Sequence, residues 1–133
     1  MDLTHVRAFT AAMRRKDLDG MLAHMAVGVV LNTPLAAEPV RGKAAVREVV
    51  GLPLGVVDAF EFREIMQGPG HVSSFFKAVA GPEELDGMDY WRLDAAGLIE
   101  EMTVLWRPLP AAVRDRLARA AGRPPRGARA GGP

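Results

Sequence analysis

Apolar positions recur along this chain with two distinct periods. Leu3, Val6, Phe9 and Met13 fall at spacings of three, three and four, which is one buried helical face, so residues 3–15 are predicted helical. Arg14, Arg15 and Lys16 suit the negative pole at the end of that helix. Asp17 is placed to cap a second, short helix, DLDGMLAHM (17–25), with Leu18, Met21, Leu22 and Met25 turned inward and Gly20 weakening it slightly. VGVVLNT (27–33) is β-branched and apolar, a strand. Pro34 and Pro39 bracket a loop that can be neither regular helix nor central strand. Residues 42–50 are helical, with Val46, Val49 and Val50 on one side, and Gly51 and Pro53 stop the helix.

Beyond this point the period falls to two. Residues 56–68 alternate, with Phe60 and Phe62 on one face and Glu61 and Arg63 on the other. GPG (68–70) turns the chain into a strand over 71–81, and PEELDG (82–87) reads as a turn or bulged hairpin. MDYWRLD (88–94) pairs through DAAG with LIEEMTVLW (98–106), an Asp-to-Gly connection between two alternating runs. Pro108 and Pro110 end the last strand, and residues 111–122 form a closing amphipathic helix around Val113 and Leu117. Helices followed by a run of antiparallel strands make an α+β domain, with helices packed on one face of a curved antiparallel sheet.

Charge adds one boundary. The net charge of +1 hides a body (residues 1–106) with 10 basic and 15 acidic residues and an end (107–133) with seven arginines and one aspartate. A single domain over 1–121 with a disordered Arg/Gly/Pro tail over 122–133 is the expectation. An acidic body argues against nucleic acid as the main ligand. No apolar run reaches the roughly 20 residues of a membrane helix, and the chain contains no cysteine, so neither a membrane nor a thiolate site is expected. With no basic-then-apolar pattern in MDLTHVRAF, a cytoplasmic location is expected.

The pattern breaks at Asp89. Aspartate is a poor strand residue, yet Asp89 shares parity with Trp91 and Leu93, while Met88, Tyr90 and Arg92 take the other face. In the next strand Met102, Val104 and Trp106 travel together. If these apolar sets line the concave side, Asp89 projects into a cavity walled by Trp91, Met102, Phe60, Phe62 and Phe75, with Phe9 and Met13 from the first helix. Desolvation there would raise its pKa and make it a hydrogen-bond donor to a carbonyl or nascent oxyanion. The alternative is an Asp89 that pairs with an arginine or caps a backbone amide. Ser73 shares parity with Phe75 and adds a hydroxyl. Glu64 shares parity with Phe60 and Phe62 and is either an inward candidate base or a residue of a solvated strand end. Asp58 and Glu38 read as surface carboxylates, Glu38 near the pocket mouth, and Asn32 as a loop cap. His5, His24 and His71 have no metal-ligand spacing, so no metal and no cofactor is expected.

The segments VRAFTAAMRRKDLDGMLAHM, TPLAAEPVRGKAAVREVV and GMDYWRLDAAGLIEEMTVLW together resemble the cone-shaped α+β family of nuclear transport factor 2, ketosteroid isomerase and SnoaL-like polyketide cyclases, over about residues 4–110. The resemblance implies three N-terminal and central helices on the concave face of the sheet. It also implies a pocket for a hydrophobic polyketide- or steroid-like small molecule. Of the three functional positions of the isomerase branch, the acidic hydrogen-bond donor matches Asp89. The general base falls on Thr33, whose hydroxyl cannot abstract a carbon-bound proton at neutral pH, and the oxyanion-hole tyrosine falls on Phe9. Ketosteroid isomerisation by the usual route is therefore not expected. An isomerase or cyclase using Asp89, with Thr33 assisting, stands beside a non-catalytic ligand-binding or interaction module. The outer sheet face, with Met88, Tyr90, Thr103 and Leu105, is expected to form a homodimer.

Overall fold

A computed structural model describes residues 2–120 and Gly122. The expected tail, apart from Gly122, lies outside the described residues. The chain runs α1 (Thr4–Arg14), α2 (Leu18–Leu22), β1 (Met25–Asn32), β2 (Val40–Arg41), α3 (Lys43–Val50), α4 (Leu52–Val56), β3 (Ala59–Gly68), β4 (His71–Ala80), β5 (Glu83–Leu93), β6 (Ile99–Arg107) and α5 (Ala111–Ala120). One curved, open, six-stranded sheet has the order β2-β1-β6-β5-β4-β3. Every pairing is antiparallel except β1 with β6, which is parallel. The fold class is the α+β arrangement expected from the sequence.

Local chemistry explains where elements begin and end. The Asp17 carboxylate accepts from the Gly20 amide at 2.9 Å, capping α2. Any side chain at residue 20 would collide with that carboxylate, so Gly20 makes room for the cap rather than merely weakening the helix. Helix α3 ends at Val50, but Gly51 and Pro53 do not begin a strand. The chain restarts as α4 with Pro53 in its first turn, where a missing N–H costs nothing. That helix delays β3 to Ala59. Of the two readings of 82–87, turn or bulged hairpin, the structure has the hairpin, with most of the segment already strand. Ala80 pairs with Glu83 across a tight connection in which Gly81 has φ 61°, after which Glu84 and Asp86 take the outward positions while Leu85 and Gly87 are buried.

Strand β5 is the axis of the sheet, paired along nearly its whole length with β4 and β6. Leu85, Gly87, Asp89 and Trp91 face inward and are buried, while Met88, Tyr90 and Arg92 face out. The core lies between this inner face and the helices, with Val6 and Phe9 from α1, Met21 from α2, Val46 from α3 and Leu117 from α5 buried in it. Gly87 is opposite Phe76, and the Phe76 ring occupies the space a side chain at 87 would need. Gly87→Ala is therefore expected to force the ring aside and destabilise the fold by about 1–3 kcal/mol, measured by urea denaturation. A neutral substitution would show that the ring is not fixed there.

Candidate functional site

Asp89 sits in the middle of β5, flanked across the sheet by Ser74 of β4 and Val104 of β6. It is 0% exposed, and neither carboxyl oxygen has a hydrogen-bond partner among the described residues. Arg92, the nearest arginine in sequence, is on the opposite face and pairs with Glu101 at 3.6 Å. The ion-paired or amide-capping alternative is thus absent. Burial pushes the Asp89 carboxyl up to about 8, because a charge without partners in an apolar interior is more costly than a neutral acid. At pH 7 the group is predominantly a neutral acid, able to donate one hydrogen bond.

Asp89 opens into a cavity of about 30 Å³, room for about two water molecules. Its sheet wall comprises Leu31, Asp89, Met102, Val104 and Trp106. Its helix wall comprises Met13, Met21, Val49, Val50 and Leu54. Thr33, Pro34 and Leu35 close it where the chain leaves β1. The Thr33 hydroxyl accepts from the Leu35 amide at 3.3 Å, so it shapes the turn. Thr33, Pro34, Val104 and Trp106 also bound an outer groove of about 320 Å³ that continues along the Pro-containing loop to Glu38 and Pro39.

Of the residues read from sequence as pocket walls, Asp89, Thr33, Met13 and Met102 are brought together around this cavity. Phe9 and Trp91 lie deeper, packed edge to face at 6.0 Å. Phe60 and Phe62 pack on Phe76, at 6.1 and 5.4 Å, on β3 and β4, away from the cavity walls. Ser73 and Phe75 are placed on the outer face: their partners are Tyr90 and Met88, and the inward residues of β4 are Ser74 and Phe76. The doublets Ser73-Ser74 and Phe75-Phe76 offer the same residue to both faces, so composition could not fix the phase of β4. Pairing β4 against Asp89 would have. Glu64 takes the solvated one of its two readings. A bulge between Phe62 and Glu64 shifts the strand's phase, and Glu64 is exposed opposite Phe75. Trp106, Leu54 and Leu35 were not read as pocket residues. Trp106 could have been, from its shared parity with Met102.

The histidines are less scattered than their spacing suggested. His5 at the start of α1 and His24 just before β1 bring their Nδ1 atoms to 3.0 Å. Burial, and then the charges of His5 and Lys43, hold His24 below the usual imidazole range. Neither lines the cavity, and among the described residues no three His, Asp or Glu side chains converge as metal ligands. Asn32 does not cap the loop but donates to the side chains of Glu101 and Thr103. Among the described residues no helix is long and apolar enough to cross a membrane.

The family model described as "SnoaL-like domain" matches residues 6–102. A steroid delta-isomerase from Pseudomonas aeruginosa is similar at 25% identity and TM-score 0.75, over 89% of this chain and 86% of that one. A cystatin-like-fold protein from Silicibacter pomeroyi DSS-3 is similar at 23% identity and TM-score 0.72, over 90% and 86%. A de novo designed protein with a curved β-sheet is similar at 16% identity and TM-score 0.70, over 87% and 97%.

The buried acid has a stability signature. A folded-state pKa raised above the unfolded value means the folded protein binds the extra proton between the two. The neutral acid's stability is therefore fully present below about pH 4 and is lost as pH rises towards 8. Relative to Asp89→Asn, the wild type is expected to lose about 1.4 kcal/mol per pH unit across that window and then level off. Paired denaturation curves from pH 4 to 9 check this, and parallel profiles would contradict it.

Proposed function

The chain belongs to the SnoaL-like domain family, and on that footing we propose that its cavity binds a hydrophobic polyketide- or steroid-like small molecule, with Asp89 as the hydrogen-bonding acid. The observation that carries this reading is the complete burial of Asp89 at an apolar cavity wall, without a partner among the described residues. A polar group kept there against its desolvation cost is a functional-site signal. The likeness to a steroid delta-isomerase supports the same ligand class.

The cavity alone is far smaller than the roughly 300–1,000 Å³ of ordinary ligand pockets. Binding on this reading joins it to the outer groove by moving Trp106, Leu35 and the methionines, which are adaptable side chains. Asp89 then polarises a ligand carbonyl and makes the adjacent carbon more acidic, as isomerisation or cyclisation requires. The alternative, a binder without chemistry, is favoured by one observation: Asp89 is the only carboxylate among the described cavity-lining residues, and Thr33 cannot replace a base. Ligand binding is expected to be constant at neutral pH and to weaken above pH 8 as Asp89 ionises, with Asp89→Leu binding about tenfold more weakly. Titration with progesterone measures both. Deuterium exchange at the ligand's α-carbon, faster than buffer and lost in Asp89→Leu, marks an enzyme; binding without exchange marks the binder. Absence of binding contradicts both.

We also propose that a second copy of the chain covers the outer sheet face, where Phe75, Met88 and Leu105 border one apolar groove and Leu105 is 62% exposed. Sedimentation is expected to give a dimer that Leu105→Glu dissociates. A monomeric wild type would contradict it.

A further inference from the structure

Among the described residues, four on the inner sheet face carry buried polar atoms without a partner: Ser74, Asp89, Trp91 and Trp106. Only Asp89 and Trp106 also line the cavity. Trp91 has its ring against Phe9, and Ser74 lies outside the cavity wall. Val104 is the cross-strand partner of Asp89, so Trp106, two residues on, is its diagonal neighbour on the same face. That separation, about 7–8 Å between backbones, is within reach of large side chains. Trp106 also forms part of the wall between the cavity and the outer groove, the position a ligand passes on entry.

An indole Nε1–H is a donor only and does not titrate. Left buried without an acceptor it forfeits the hydrogen bond it makes in water, a loss recovered when an acceptor arrives. Neutral Asp89 supplies one donor, while the Thr33 hydroxyl accepts from the loop amide. The cavity wall thus offers a donor-only indole beside an acid that donates once and keeps one acceptor oxygen. A ligand oxygen with two lone pairs can accept from both donors.

Resting on the reading of the cavity as a hydrophobic-ligand site, we propose that Trp106 Nε1–H is its second hydrogen-bond donor, converging with Asp89 on one carbonyl or enolate oxygen of an apolar ligand. The site selects ketones over hydrocarbons of the same shape.

Two probes with one carbon skeleton separate the donor from the wall: 1-tetralone, which has the oxygen, and tetralin, which lacks it. They are titrated into the full ¹⁵N-labelled chain, whose two indole resonances are assigned with Trp106→Phe. The Trp106 indole proton is expected to move downfield with tetralone and not with tetralin, while Trp91 stays in place. Trp106→Phe is expected to weaken tetralone about tenfold and to leave tetralin within about twofold, which also shows that the variant keeps its pocket. Tetralone binding with the Trp106 resonance unmoved, or an equal loss of both probes in the variant, overturns the donor role alone. Failure of both probes to bind the wild type overturns the pocket reading and this inference with it.

Discussion

The site depends on one unfavourable placement: a carboxyl group held on the inner face of the central strand with no partner among the described residues. A lone ionised carboxylate in such surroundings is prohibitive, so the protein keeps Asp89 as a neutral acid. The stability for this comes from elsewhere on the same face. Trp91 and Phe9 pack edge to face beside it, Phe76 fills the space over Gly87, and Val6, Met21, Val46 and Leu117 close the core from the helices. Strand β5 is paired on both sides, so a slip of one residue would expose Trp91 and Leu85 together with Asp89. The apolar pattern thereby holds the acid in place.

The surrounding architecture turns that placement into a site. The parallel β1–β6 pairing ends at Asn32 and Thr103, after which β6 continues beside a Pro-containing loop rather than another strand. The gap this leaves is where the cavity and the outer groove share Thr33, Pro34, Val104 and Trp106. Helix α4, short and with Pro53 in its first turn, brings Leu54 to the opposite wall. Such a cone does not dictate chemistry by itself. A steroid delta-isomerase and a de novo designed curved-sheet protein share it, so function resides in the groups inside it.

Much of this was legible in the sequence where one face is buried and its neighbours are solvated. The helical spacing of Val6, Phe9 and Met13 and the parity of Asp89 with Trp91 both placed residues on the correct face. Legibility failed where sequence is degenerate or geometry is non-local. The Ser73-Ser74-Phe75-Phe76 doublets carry no alternation, so the phase of β4 is set by its pairing with β5. A bulge after Phe62 is one inserted residue that no side-chain pattern announces, and it moved Glu64 to the surface. Pro53 reads equally well as a stop and as a first-turn residue. His5 and His24 meet because α1 and α2 fold back on each other, which a separation of 19 residues does not reveal.

The account stands on the protonation state of one side chain, and ¹³C NMR of the Asp89 carboxyl carbon, titrated from pH 3 to 10 and assigned with Asp89→Asn, reads it directly. The account predicts a midpoint near 8. A midpoint near 4, that of an aspartate in water, would contradict it.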